Sequence, residues 1–189
     1  MKNTIKNLAV FVAITFSFAL VNAQQKQIKT EKSSLIWKGY KVTGSHTGTI
    51  AIKSGILTFK EGKLIEGDFV IDMLTIKNTD LTGEYKEKLE GHLKSDDFFG
   101  VTKFPTAKLV FTKVKSNGKN AYDVTGNLTI KGITKKVKVT ISIYGSKATA
   151  TLKIDRTKFN VRYGSTSFFD NLKDKVIYDE FDLVIDLQF

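Results

Sequence analysis

Val124-Thr125-Gly126-Asn127-Leu128-Thr129-Ile130 and Val137-Lys138-Val139-Thr140-Ile141-Ser142-Ile143 each alternate an apolar or small residue with a polar one. Successive side chains of a strand point to opposite faces, so each stretch reads as a strand with one greasy face. The C-terminus repeats the pattern, with Ile177, Phe181, Leu183, Ile185, Leu187 and Phe189 on one face and Tyr178, Glu180, Asp182 and Asp186 on the other. From Ser33 to Phe189 this alternation breaks clearly only between Asp80 and Pro105. The chain is therefore expected to be all-β, an antiparallel sheet closed or folded around one apolar face, with one helical insert.

Strands are predicted at Leu35–Val42, Thr47–Ile52, Ile56–Lys60, Leu64–Met73, Lys108–Val114, Tyr122–Ile130, Val137–Tyr144, Lys147–Ile154 and Val176–Phe189. Glu61-Gly62, Asn117-Gly118 and Gly145-Ser146 place glycine where tight hairpins need positive φ, so their flanking strands should pair antiparallel. In the break, Thr79 or Asp80 can cap a helix over Leu81–Leu93, with Leu81, Tyr85, Leu89 and His92 or Leu93 at helical spacing. Such a helix either lids an open end or covers a sheet edge.

The N-terminus reads differently. Lys2 and Lys6 precede an uncharged run from Leu8 to Leu20, and Val21-Asn22-Ala23 supplies small residues at a cleavage position. Residues 1–23 are expected to be a secretory signal peptide, the run being short of the roughly 20 residues a membrane span needs. Gln24 to Lys32 is expected to be a flexible leader, and residues 33–189 a single domain with a sizeable core. With no cysteine in the chain, neither a disulfide framework nor a thiolate metal site is available. The formal charge is +11, or +9 without Lys2 and Lys6, which favours transient contact with anionic membrane surfaces. Nucleic acid is a poor partner, because the lysines are scattered singly and the arginines are only Arg156 and Arg162. A periplasmic or secreted location is expected.

Catalytic candidates are few. His46 lies in a turn-like Gly44–Gly48 stretch and His92 at the helix end, too far apart in sequence for a metal signature. Each is expected to be a hydrogen-bonded structural histidine. Asp96-Asp97 follows the helix, where adjacent carboxylates diverge and serve turns. No nucleophile constellation and no phosphate loop stand out, so no catalytic residue, metal or cofactor is expected. Aromatic residues are plentiful: Phe69, Phe111 and Phe181 fall on apolar strand faces, and Phe159, Tyr163, Phe168 and Phe169 cluster near one loop. A barrel of about eight strands is wide enough to be filled by side chains or to hold one apolar ligand, and alternation alone leaves both open. It also leaves open an outer-membrane barrel with its apolar face toward lipid. The helix and the lack of paired aromatic girdles speak against that arrangement.

Three segments carry a resemblance: Gly91-His92-Leu93-Lys94-Ser95-Asp96-Asp97-Phe98-Phe99 with Lys103-Phe104-Pro105; Val124 to Lys135; and Ile154-Asp155-Arg156-Thr157-Lys158-Phe159-Asn160-Val161. In their order and spacing the chain resembles the YceI-like family of exported lipocalin-like proteins. The resemblance implies an eight-stranded antiparallel barrel with one helical insert, whose channel holds a polyisoprenoid or quinone-type chain for transport, storage or sequestration. Lys136 stands where the family often has proline, and the Trp37–Gly48 segment looks like a family subtype. The expected ligand-binding wall is Phe69, Ile71, Phe111, Leu128, Ile130, Ile141, Ile143, Phe181 and Leu183, with Trp37 and Phe159. The competing readings are an enzyme acting on an isoprenoid lipid and an exported structural or adhesive β protein with a filled core. A homodimer is also compatible with the sequence.

Overall fold

The computed structural model describes residues 23–189, so almost all of the expected signal segment lies outside the described residues. Among the described residues nine strands form one antiparallel sheet: β1 Gln24–Gln27, β2 Ser34–Lys41, β3 Gly44–Lys60, β4 Lys63–Asn78, β5 Thr106–Ser116, β6 Ala121–Ile130, β7 Ile133–Tyr144, β8 Lys147–Asp155 and β9 Ile177–Gln188. Each of β2 to β9 pairs with its neighbours in sequence, and β9 returns to β2, which closes an eight-stranded barrel. The helix α1, Gly83–Lys94, is inserted between β4 and β5. Among the described residues no helix is long and apolar enough to cross a membrane. The apolar faces point into the barrel, opposite to an outer-membrane arrangement.

Two predicted strands, Thr47–Ile52 and Ile56–Lys60, are one strand. The register of β3 against β4 slips between Ile52 and Ser54, so the inward set changes from Gly48, Ile50 and Ile52 to Gly55, Leu57 and Phe59. A bulge adds one residue and flips the parity, which in sequence imitates an interruption. At the bend Gly55 is required for space: a Cβ there would lie 2.8 Å from both Ile28 and Phe69.

Residues 24–32 are not a free leader. β1 pairs with the far half of β3, Gln24 opposite Phe59 and Gln27 opposite Ile56, while β2 pairs with its near half. The backbone NH of Ile28 donates to Gly55 and that of Lys29 to Gln188, so the segment seals the seam that β2 leaves open beside β9. Gln-Gln-Lys-Gln offers no apolar alternation because its pairing uses backbone groups alone, anchored by buried Ile28.

The helix starts later than its apolar spacing suggests. Its N-cap is Thr82, and Asp80 faces β3 instead, accepting hydrogen bonds from the Thr47 backbone and Asn78 and pairing with His46 at 2.8 Å. Burial works against the Asp80 charge, but these partners outweigh it and hold its carboxyl below the usual range. Tyr85 is 75% exposed, so only Leu89 and Leu93 of the expected stripe join the core.

Candidate functional site

The inward side chains leave a cavity along the barrel axis, divided into two chambers. The upper, of ≈ 120 Å³, is walled by Trp37, Ile50, Met73, Ile76, Leu93, Phe98, Phe99, Ile130, Ile154, Ile177 and Phe181, among others. The lower, of ≈ 80 Å³, is walled by Ile52, Phe69, Phe111, Val139, Ile141, Leu152 and Leu187, among others. Leu35, Ile71, Leu128 and Leu183 belong to both and form a waist between them. The surface exposed to either chamber is wholly apolar. Such a space gives water no partner and suits hydrocarbon. From Ile177 to Leu187 the strand β9 runs roughly 33 Å, which a tilt of about 40° projects to about 25 Å of barrel axis. The two chambers are stacked along that length, with Ile177 lining the upper and Leu187 the lower.

Glycine and aromatic rings shape the lower chamber. Phe69 and Phe111 meet at 5.6 Å between ring centres, and Phe111 lies where a Cβ on Gly67 would stand 2.5 Å away. At that end Phe59 packs on Phe189 at 5.6 Å, with Lys26 over both rings. The sequence gives Gly67 no special status, since its reason is a ring on the neighbouring strand β5.

The three segments that carry the family resemblance meet at the other end. Lys131 donates to the backbone carbonyls of Asp96 and Phe98, at 2.8 and 2.7 Å, and so holds the loop that supplies Phe98 and Phe99. Asp155 caps the turn after β8 by accepting from the Thr157 backbone at 3.0 Å. Its neighbour Arg156, 2% exposed, donates through Nε to Tyr178, through one terminal nitrogen to Val161 and through the other to Ile177. Its guanidinium also lies 5.6 Å from the centre of the Phe98 ring. Burial pushes the Arg156 pKa down, and Asp179 and Asp155 oppose that shift. Arg156 thus presents its carbon stem to the chamber while its charge ties the loop after β8 to the start of β9.

The two histidines differ. His46 is hydrogen-bonded to Asp80, as expected, whereas His92 is held by packing, with Tyr163 at 4.3 Å and Phe98 at 5.5 Å between ring centres, and its buried Nε2 has no partner. Burial pushes the His92 pKa below its ordinary 6.5, with Asp97 opposing. An unfolded chain therefore takes up this proton at a higher pH than the folded one. The group's contribution to stability is complete above the unfolded value and is lost as pH falls toward the folded one. Thermal unfolding should show stability declining below pH 6.5, and His92→Phe should flatten that part of the profile. An unchanged profile would contradict this role.

Of the expected wall, Trp37, Ile130 and Phe181 line the upper chamber, Phe69, Phe111 and Ile141 the lower, and Ile71, Leu128 and Leu183 the waist. Two residues lie elsewhere. Ile143 borders a polar groove near Phe189, below the lower chamber, and buried Phe159 packs beneath the turn that follows β8. Alternation assigns Ile143 the right face but not its depth. The sequence reading misses many wall residues, among them Leu35, Met73, Ile76, Leu93, Phe98, Phe99, Ile154 and Arg156. Among these, Phe98, Phe99 and Arg156 were visible only as resemblance motifs. Among the described residues no group of three or more His, Cys, Asp or Glu side chains could hold a metal ion.

The profile of the YceI-like domain matches residues 26–189, the whole barrel. The chain belongs to the YceI-like family. Among this YceI-like chain's relatives, a UPF0312 protein of Pseudomonas fluorescens is 32% identical over 139 residues, 72% of this chain and 70% of that one. A UPF0312 protein of Pseudomonas putida is 33% identical over 147 residues, with the same coverage. Solved structures share the YceI-like fold. BcnA of Burkholderia cenocepacia superposes with a TM-score of 0.68 at 22% identity, covering 85% of this chain and 98% of its own. A polyisoprenoid binding domain from Saccharophagus degradans, implicated in plant cell wall breakdown, gives 0.60 at 16% identity, covering 86% and 97%.

Proposed function

We propose that this protein binds one long apolar chain of polyisoprenoid or quinone-tail type inside the barrel, for transport, storage or sequestration, and that it is not an enzyme. The observation that carries the reading is the pair of wholly apolar chambers stacked along the barrel and sharing the waist residues Leu35, Ile71, Leu128 and Leu183. An isoprenoid tail offers many carbon groups and few hydrogen-bonding atoms, so affinity must come from burial, at about 0.8 kcal/mol per methylene before ordering costs. A cavity without polar lining suits that guest and gives no grip on a charged head group, which would remain at the mouth. The description of the Saccharophagus relative as polyisoprenoid-binding points the same way.

The reading includes export to the periplasm or beyond, in line with the signal-like residues 1–23. The excess of lysine would draw the protein to anionic bilayers, an effect that salt weakens. The test is an organic extract of protein purified without detergent. About one long apolar chain per barrel supports the reading, and an extract free of lipid contradicts it. Turnover of an added isoprenoid lipid that is lost on changing His46, His92 or Asp97 would favour an enzyme instead.

A further inference from the structure

We infer that the segment from Arg162 to Tyr178 is the element by which the barrel docks on a phospholipid bilayer, mouth first; this rests on the carrier reading above. The segment exposes four aromatic side chains, Tyr163 at 47%, Phe168 at 41%, Phe169 at 48% and Tyr178 at 52%. Scattered exposed rings are ordinary, but four concentrated within the one segment from Arg162 to Tyr178 point to an interaction surface.

The backbone holds these rings outward. The NH groups of Phe168 and Phe169 both donate to the carbonyl of Ser165, which is fully buried, and the NH of Ile177 donates to Gly164. Ser167 donates to Asp179, which ties the turn to the start of β9. The same segment walls the upper chamber through Ile177 and Tyr178, and Tyr163 packs on His92, which packs on the wall residue Phe98. The patch is therefore continuous with the cavity. A guest passing between cavity and bilayer would cross this surface, and seating it in the interface keeps the guest out of water.

The chemistry favours a lipid surface over a protein partner. Arg162 lies 4.7 Å from the centre of the Phe168 ring, a cation beside an aromatic wedge, as at membrane interfaces. Lys173 and Lys175 add charge, but Asp170 and Asp174 nearly balance it, leaving the segment close to neutral. Its hold on the bilayer is therefore apolar and should resist salt, unlike the attraction of the scattered lysines.

The test is flotation of the purified protein with vesicles of phosphatidylcholine containing a minor share of phosphatidylglycerol, at high salt. Changing Phe168→Ser and Phe169→Ser together should lower vesicle partition at least about tenfold, while N-phenylnaphthylamine uptake by the cavity and thermal unfolding stay at the parent level. Tyr144→Ser, which removes a ring 63% exposed at the opposite end of the barrel, should change nothing. In a second variant, Phe169→Trp, the added indole emission should shift to the blue with vesicles and be quenched by brominated acyl chains. The inference is overturned if the parent fails to float at high salt, if the double variant floats as well as the parent, if Tyr144→Ser loses as much, or if the double variant dissociates a dimer. Failure of the parent to take up the dye would refute the carrier reading instead, and flotation would still decide the docking surface.

Discussion

Replacing Leu128 with tryptophan should empty the barrel while leaving it folded. Leu128 is 7% exposed and forms the waist with Leu35, Ile71 and Leu183, so a guest that occupies both chambers must pass it. In a filled core the larger ring would overpack, at a cost of about 1–3 kcal/mol. Here the ring has open space on both sides, of ≈ 120 and ≈ 80 Å³, so the unfolding temperature should move little. The chain that co-purifies should fall at least about tenfold, since the lost burial scales with every methylene excluded. Ile141→Trp blocks only the lower chamber and should shift the retained guests toward shorter chains. Leu128→Gln separates bulk from polarity: it leaves the path open but places a buried amide without partners, costing about 1–3 kcal/mol of stability. Unchanged lipid content in folded Leu128→Trp and Ile141→Trp proteins would refute the tunnel.

Arg156→Met should be the most destabilising single change at the mouth. The guanidinium supplies donors to the carbonyls of Tyr178, Val161 and Ile177, at 3.0, 2.8 and 2.8 Å, and its removal leaves all three without them. It also strands Asp179, whose Oδ1 lies 3.6 Å from the guanidinium and is buried without a hydrogen bond. Breaking a buried charged cluster of this kind costs about 3–5 kcal/mol, a large part of the 5–15 kcal/mol that typically holds a domain together. Because the same bonds pin the wall residue Ile177, release of a cavity-bound dye should quicken as well. Arg156→Lys keeps the charge but not the planar fork, so it should recover less than half of the loss. Chemical denaturation with both variants measures this, and an Arg156→Met protein within about 1 kcal/mol of its parent would contradict the assignment.

The barrel was legible because one face of nearly every strand meets the same apolar interior, which writes period two into the chain from Leu35 to Phe189. Legibility failed where backbone geometry acts without a side-chain signature. The bulge beyond Ile52 reverses parity within one strand, and Gln24–Gln27 pairs through main-chain groups alone. The middle of the cavity was equally readable, because Ile71, Leu128 and Leu183 sit on long alternating strands. Its mouth was not. Phe98, Phe99 and Arg156 lie in turns whose inward direction is set by Lys131, Asp155 and contacts distant in sequence, and no local period records those. Tyr85 shows the opposite failure, since helical spacing places it on the apolar stripe but the helix leaves it in solvent.

Whether the barrel holds a long apolar chain, as proposed, can be read by native mass spectrometry of protein purified from its own host without detergent. A carrier should give a dominant species heavier than the polypeptide by one lipid, which reverts to the bare mass after organic extraction and whose extract contains a polyisoprenoid or quinone-type chain. A single species at the bare polypeptide mass, with nothing apolar in the extract, would contradict the carrier reading.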